Sequence, residues 1–253
     1  MEPDRDQQEG RRHVSQRRRR QCHPHPSGAV AGKAGFHHRR SRRLRDRHHR
    51  LFSQIALFKQ EGVEIFNSFP IPPDFAAFWR QAAQQGLIKQ IKICQVAKTG
   101  LFPSDIEALG DLGNKISSAA YWHKAFPYKS PLTGVSGTEL ADGYEAASGK
   151  QWTQQLGASM SLLDAGFEAL KASTDAKDKA AVAKALSTLN TETMIGKVDF
   201  TSGPVANVSP GPIIGTQWVA AKEGGKFPLD YVVTENATDP KVPVEAKLQP
   251  YNS

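Results

Sequence analysis

The stretch Val63–Lys98, VEIFNSFPIPPDFAAFWRQAAQQGLIKQIKICQVAK, predicts a strand, a helix and a second strand in direct succession. The run VEIFNSFPI is rich in β-forming residues and is closed by Pro70. In PPDFAAFWRQAAQQG, proline precedes the helix, Asp74 lies in its first turn and Gly86 stops it. The second strand is predicted from apolar residues that alternate with polar ones, namely Ile88, Ile91, Ile93 and Val96.

The same alternation of helices and strands continues on both sides of this stretch. Before it, SQIALFKQEG predicts a helix that ends at Gly62 and has Ile55, Leu57 and Phe58 on one face. After it, PSDIEALGDLGN predicts a short helix with Ser104 as the N-cap, and KISSAAYWHK predicts a third strand. The central helix is expected to bury one side, formed by Phe75, Phe78, Trp79 and Ala82. We therefore predict an α/β fold with a doubly wound parallel sheet.

The second half of the chain has a different pattern. Three consecutive helices are predicted from SGTELADGYEAASG, TQQLGASMSLLDAGFEALKAS and DAKDKAAVAKALSTLN, with no strand between them. Strands are predicted again in TMIGKVDFTSG and IIGTQWVAAKEGGKFPLDYVVTEN, and the proline-bearing tail from Ala237 is expected to be extended.

The positive charge is concentrated at one end of the 253-residue chain. Residues 1–50 contain 14 Arg, one Lys and five Asp/Glu, a net charge of +10, whereas residues 51–253 carry a net charge of −2. The first 50 residues have one aromatic residue and few branched apolar ones, so we predict that they are disordered. The body of the protein offers no basic face for a nucleic acid.

The usual signatures of enzymes, cofactor sites and membrane spans are missing from the sequence. Walker-type and dinucleotide-binding loops are absent, and Cys22 and Cys94 form neither a disulfide framework nor a metal-ligand spacing. The one histidine of the body, His123, is expected to be a structural or surface residue and not a catalytic one. No apolar run reaches the roughly 18 residues of a membrane span. We therefore expect no catalytic residue, no metal and no cofactor.

The carboxyl ends of the three predicted parallel strands are the candidate binding site, since ligands of open parallel sheets bind beyond that edge. The helix after Pro72 directs its N-terminus the same way, which favours an anion. Apolar walls and polar contacts would come from Ser68, Phe69, Pro70, Ile71, Lys98, Thr99, Phe102, Tyr121 and Trp122. The alternative is that these aromatic residues simply pack the edge of the sheet.

Two longer segments, FSQIALFKQEGVEIFNSFPIPPDFAAFWRQAAQQG and GYEAASGKQWTQQLG, resemble the substrate-binding proteins of ABC importers. The resemblance is to the type I periplasmic-binding family, which includes the leucine/isoleucine/valine receptors, and it runs from Phe52 to the C-terminus. It implies two α/β lobes joined by three crossover segments, with the ligand held in the cleft between them. It also implies a monomer in the periplasm, with a membrane permease as its partner.

The resemblance further implies how the lobes divide along the chain. Residues 51–125 and 193–253 would belong to the second lobe, and residues 130–190 would be helices of an incomplete first lobe. The sheet of that first lobe would precede the match, so the chain is expected to be N-terminally truncated. Losing that sheet would cost about 10 kcal/mol or more of apolar burial. A non-functional remnant is therefore one alternative for the truncated chain.

The resemblance also bears on the ligand. Amino-acid-binding members place an acidic residue after the strand that ends near Ala97, where it pairs with the ligand's ammonium group. This chain has Lys98-Thr99 there, and Ile71 where a tyrosine is common. Because a lysine repels an ammonium and attracts a carboxylate, a small organic or aromatic acid is expected in preference to an amino acid.

The family's segment before the first matching helix resembles VDPGxxxxGTxDFSxQI, whereas this chain reads HHRRSRRLRDRHHRLFSQI. Synonymous codons can be chosen for His37–Phe52 such that the same bases, read one base later, encode a family-like strand, turn and start of a helix. We therefore hypothesise that residues 1–50 are translated in the wrong frame, which the nucleotide sequence would decide.

Two alternative functions remain open at the level of sequence. One is a nucleic-acid-binding protein that uses the arginine-rich segment, which would bind phosphates with a steep salt dependence but lacks aromatic residues for base stacking. The other is a cytoplasmic ligand sensor of the same fold, because residues 1–50 contain no apolar core of an export signal.

Overall fold

The computed structural model describes residues 49–70 and 73–253. Three short 3-10 turns, Leu87–Lys89, Lys98–Leu101 and Gly110–Gly113, lie between the main elements. The helices and strands are, in chain order, α1 (His49–Gln60), β1 (Ile65–Ser68), α2 (Asp74–Gln84), β2 (Ile93–Val96), α3 (Pro103–Glu107), β3 (Ile116–Ala120), α4 (Gly137–Ser148), α5 (Gln155–Ala172), α6 (Lys179–Ser187), β4 (Asn190–Thr193), β5 (Gly196–Asp199), β6 (Ile214–Ala220) and β7 (Leu229–Glu235).

A five-stranded sheet in the order β1-β2-β3-β6-β7 forms the centre of the described chain. Strands β1, β2 and β3 are parallel, β6 pairs antiparallel with β3, and β7 pairs antiparallel with β6. The predicted α/β class and its parallel βαβ units are confirmed. Strands β6 and β7 make the sheet mixed, and β4 and β5 form a separate antiparallel hairpin.

Helix α2 covers the sheet with the face that its sequence predicts. Phe75, Phe78, Trp79 and Ala82 are all buried. The ring of Phe66 on β1 stacks on Phe78 with centroids 5.1 Å apart, and it lies 5.3 Å from the Trp79 ring. This aromatic cluster packs α2 against β1.

Three local predictions are wrong. The second strand begins at Ile93, because Gly86 takes a left-handed conformation with φ 76° and leads into the 3-10 turn that contains Ile88. Helix α3 begins with a proline at its first position, where the missing N–H is harmless, so Phe102 and not Ser104 is the N-cap. Leu57 is exposed on α1, whereas Ile55 on the same helix is fully buried.

The three predicted helices of the second half are confirmed as α4, α5 and α6. Helix α4 begins with a capping box, in which Ser136 Oγ accepts from Glu139 N and the Glu139 carboxylate accepts from Ser136 N. Helices α5 and α6 nevertheless leave large apolar side chains exposed, namely Leu162, Leu163, Leu170 and Leu186.

The arginine-rich segment lies almost entirely outside the described residues, which begin with α1 at His49. The predicted disorder of residues 1–50, the wrong-frame hypothesis and the nucleic-acid arm therefore remain predictions. Within residues 49–70 and 73–253, no helix combines the length and apolar character of a membrane span.

The tail beyond Ala237 returns to the sheet. Glu245 N and Ala246 N donate to Val233 O on β7, and Tyr251 N donates to Lys92 O. The Tyr251 hydroxyl donates to Leu112 O at 2.9 Å and accepts from Trp79 Nε1 at 2.8 Å. The C-terminal residues thus fasten α2 to the loop that precedes β3.

We predict that Tyr251→Phe lowers the free energy of unfolding by about 1–3 kcal/mol, because it leaves Trp79 Nε1 and Leu112 O without this partner. Urea denaturation followed by circular dichroism measures the change. Tyr144→Phe on α4 removes a hydroxyl from another partly buried tyrosine and serves as the control, with an expected change below about 0.5 kcal/mol. Equal effects of the two substitutions would contradict the bridging role of Tyr251.

Candidate functional site

The parallel strands β1, β2 and β3 end side by side at one edge of the sheet. Ser68 pairs with Val96 in register, and Ala97 N donates to Ser68 O at 3.1 Å. We call the end of β1 and the described residues that follow the three strands, residues 68–70, 73, 97–102 and 121–124, the carboxyl edge. The topology therefore brings together the three segments that the sequence singles out.

Lys98 holds an unusual backbone conformation at this edge. Its φ of 54° is left-handed, which costs a non-glycine residue about 1–2 kcal/mol. Its Nζ lies 5.7 Å from the centroid of the Phe69 ring, and 71% of Phe69 is exposed. The strained backbone places a cation beside an exposed aromatic ring, and strain of this kind is concentrated at functional sites.

The next residues of the same segment are anchored to the sheet. Thr99 is buried, and its Oγ1 donates weakly to Pro70 O at 3.4 Å, which links two of the three loops. Gly100 O accepts a 2.8 Å hydrogen bond from Trp218 Nε1 on β6. A Cβ at Gly100 would lie 3.1 Å from Ser118 Oγ, so a larger residue there would require the serine to shift by a few tenths of an ångström. Phe102 follows and is 36% exposed.

The third segment of the edge runs into the interior of the protein. Tyr121 is partly buried, which raises the pKa of its phenol, and its N–H donates to Gln154 Oε1 at 3.0 Å. Trp122 has no exposed surface and meets Trp152 edge to face, with centroids 5.6 Å apart. Tyr121 thus stays at the edge, whereas Trp122 packs behind it against the start of α5.

His123 is completely buried, so of the two positions that the sequence leaves open, structural or surface, the surface one is wrong. Its Nδ1 accepts from Ala125 N at 3.1 Å, so Nε2 carries the proton and donates to Tyr231 O at 2.7 Å. Burial lowers the pKa of the imidazole, although Glu245 at 3.6 Å opposes the shift. The neutral ring therefore serves as a bridge between the carboxyl edge and β7.

Most of the predicted site residues lie together at the carboxyl edge, but their side chains differ in how much of their surface is exposed. The carboxyl edge contains Ser68, Phe69, Pro70, Lys98, Thr99, Phe102 and Tyr121. Ile71 lies outside the described residues, and Trp122 does not reach the surface. The sequence does not identify Gln154 as a neighbour of the carboxyl edge, because nothing in the residues around a glutamine before a helix indicates such a contact. Among the described residues, no group of three or more His, Cys, Asp or Glu could hold a metal ion.

Comparison with known proteins identifies a family. The model of a family described as periplasmic binding protein matches residues 29–203. No curated protein matches the chain.

Several solved structures share the fold. An amino acid ABC transporter substrate-binding protein from Pseudomonas fluorescens Pf-5 is 18% identical with a TM-score of 0.61, over 83% of this chain and 53% of its own. A leucine-, isoleucine-, valine-, threonine- and alanine-binding protein from Brucella ovis is 15% identical with a TM-score of 0.58, over 88% and 57%. A solute binding protein from R. palustris in complex with benzoate is 14% identical with a TM-score of 0.51, over 77% and 48%.

At such low identity these structures establish the fold alone. The chain spans about half the length of the solved structures that it matches.

The contact between Trp122 and α5 depends on a glycine. A Cβ at Gly157 would lie 2.1–2.3 Å from the Trp122 indole, whereas a Cβ at Gly166 on the same helix would meet nothing within 4 Å. We predict that Gly157→Ala destabilises the protein by about 1–3 kcal/mol or more, and that Gly166→Ala stabilises it by about 0.5–1 kcal/mol. Thermal unfolding of both variants measures this difference, and equal shifts of the same sign would refute the packing.

The buried imidazole predicts a dependence of stability on pH. The folded-state pKa of His123 lies below the ordinary value of 6.5, so its stabilising contribution is fully present above pH 6.5 and is lost as the pH falls below it. The loss reaches at most about 1.4 kcal/mol per pH unit. In chemical denaturation, the free energy of unfolding of His123→Gln should decrease less between pH 6.5 and pH 5 than that of the unaltered protein. Parallel decreases would mean that His123 is not the group responsible.

Proposed function

The chain belongs to the family of periplasmic binding proteins, and on this premise we propose that its carboxyl edge captures a small organic carboxylate for an ABC-type importer. Aromatic acids are favoured over α-amino acids. The family consists of non-enzymatic solute-binding proteins of ABC transporters, so binding without chemical conversion is the expected activity.

The observation that carries the proposal is the placement of Lys98 beside Phe69. A lysine held at the end of a parallel strand attracts a carboxylate and repels an ammonium group. The pairing of a cation with an exposed ring suits an acid that itself carries an aromatic or apolar group. The benzoate complex of the R. palustris relative supports this chemistry as one that the fold accommodates.

The other members of the carboxyl edge supply the remaining contacts of the proposed site. Phe69, Phe102 and Tyr121 offer exposed or partly exposed ring surface, and Ser68 and Tyr121 offer hydroxyl groups. Thr99 is buried and holds the loop in place through Pro70 O. Ile71 and Trp122 remain proposed members of the site, Trp122 as the support behind Tyr121.

The arrangement in the cell is also a proposal. Family membership supports a periplasmic location and a membrane permease as the partner that receives the solute. We further propose that residues 51–125 and 193–253 form one lobe, and that residues 130–190 contribute helices to the other. In that arrangement the carboxyl edge faces the cleft between the lobes.

We predict that the full chain binds benzoate more tightly than leucine, and that Lys98→Glu weakens benzoate binding at least about tenfold, which corresponds to ~1.4 kcal/mol. The reason is the replacement of an attractive charge by a repulsive one. Isothermal titration calorimetry with benzoate and leucine measures both quantities.

The matched control is Lys177→Glu, the same charge reversal at an exposed lysine in the connection between α5 and α6. It should leave the affinity for benzoate unchanged. Leucine bound more tightly than benzoate, or a benzoate affinity that Lys98→Glu does not alter, would overturn the proposed ligand class.

A further inference from the structure

Two buried hydrogen-bond donors behind Tyr121 have no partner among the described residues. These are Nε1 of Trp122, whose side chain is 0% exposed, and Nε2 of Gln154, which is 1% exposed. Buried polar groups in folded proteins are almost always hydrogen-bonded, so each of these two donors lacks an acceptor.

The orientation of the Gln154 amide follows from a hydrogen bond. Its Oε1 accepts from Tyr121 N at 3.0 Å, so its Nε2 must be directed elsewhere, and turning the amide would break that bond. Trp122 follows Tyr121 in the chain, and its indole lies against Gly157, three residues beyond Gln154. Both donors therefore lie where the end of β3 meets the start of α5.

The start of α5 adds a third favourable element for an anion. The helix has 18 residues, and Gln154 at its N-cap makes no capping hydrogen bond through its side chain. The positive end of such a helix attracts negative charge. Lys124 lies near as well, with its Nζ 6.0 Å from the centroid of the Trp152 ring.

The acceptor side chains near these two donors are the carboxylate of Glu145 and the amide of Gln155. The first already accepts hydrogen bonds, and the second can rotate. Glu145 Oε1 accepts from Trp152 N, and Glu145 Oε2 pairs with Lys226 Nζ at 3.2 Å. Gln155 Oε1 is a buried acceptor without a partner, but no hydrogen bond among the described residues holds that amide, so it can turn to present Nε2.

We propose that Gln154 and Trp122 form a polar subsite that binds one oxygen of the ligand's carboxylate, with Gln154 Nε2 and Trp122 Nε1 as its two donors. The inference rests on the proposed function and adds to the site Trp122 after β3 and Gln154 before α5. Because both donors are buried, ligand entry requires neighbouring side chains to move while the bond from Tyr121 N to Gln154 Oε1 is kept.

The test uses uniformly ¹⁵N-labelled full-length chain titrated with benzoate. The indole N–H signal of Trp122, assigned by its absence in Trp122→Phe, should shift downfield on binding as the group gains an acceptor. Gln154→Glu keeps the oxygen that accepts from Tyr121 N but replaces the free donor by a carboxylate oxygen, so benzoate affinity should fall at least about tenfold. Gln85→Leu removes a remote amide whose buried Nε2 is also unpaired, and it should leave benzoate affinity unchanged.

The outcomes separate this inference from the proposed function. If benzoate binds while the Trp122 signal stays fixed and Gln154→Glu binds normally, the subsite is refuted and the proposed function stands. If no benzoate binds at all, both are overturned. A downfield Trp122 signal before any ligand is added, unchanged by benzoate, would show that a buried water occupies the donors, and this too refutes the subsite.

Discussion

The fold depends on strand β3, a buried central strand that carries polar side chains. Ser117 Oγ donates to Cys94 O and Ser118 Oγ donates to Val96 O, each at 3.0 Å, so the serines bind the neighbouring strand. On the other side Thr216 Oγ1 lies 3.0 Å from Ser118 O. Every one of these groups needs its partner in the dry interior, and the register of β3 with β2 and β6 is fixed accordingly.

That constraint explains why distant parts of the chain meet at the carboxyl edge. The chain leaves the sheet after Ala120 and returns at Ile214 to pair with β3. The intervening helices must pass close to the end of the sheet. Gln151 Nε2 donates to Leu229 O, which ties the connection between α4 and α5 to β7. Glu145 on α4 pairs with Lys226 in the turn before β7. The start of α5 is thereby brought against Tyr121 and Trp122.

The sequence could predict what local periodicity determines. The buried face of α2, the three parallel strands and the carboxyl edge all follow from patterns within a few residues. It could not predict that β2 starts at Ile93, because a left-handed Gly86 shortens the strand. It could not place Trp122 in the interior or find Gln154, because both depend on the return of α5 to the end of β3, and no local pattern encodes that contact.

The central claim is that the carboxyl edge binds a carboxylate through Lys98. A crystal structure of the full chain grown with benzoate tests it most directly. We expect density for the benzoate carboxylate within hydrogen-bonding distance of Lys98 Nζ, with the ring beside Phe69. Benzoate bound away from the carboxyl edge, or an edge that accepts leucine with its ammonium group beside Lys98, would contradict it.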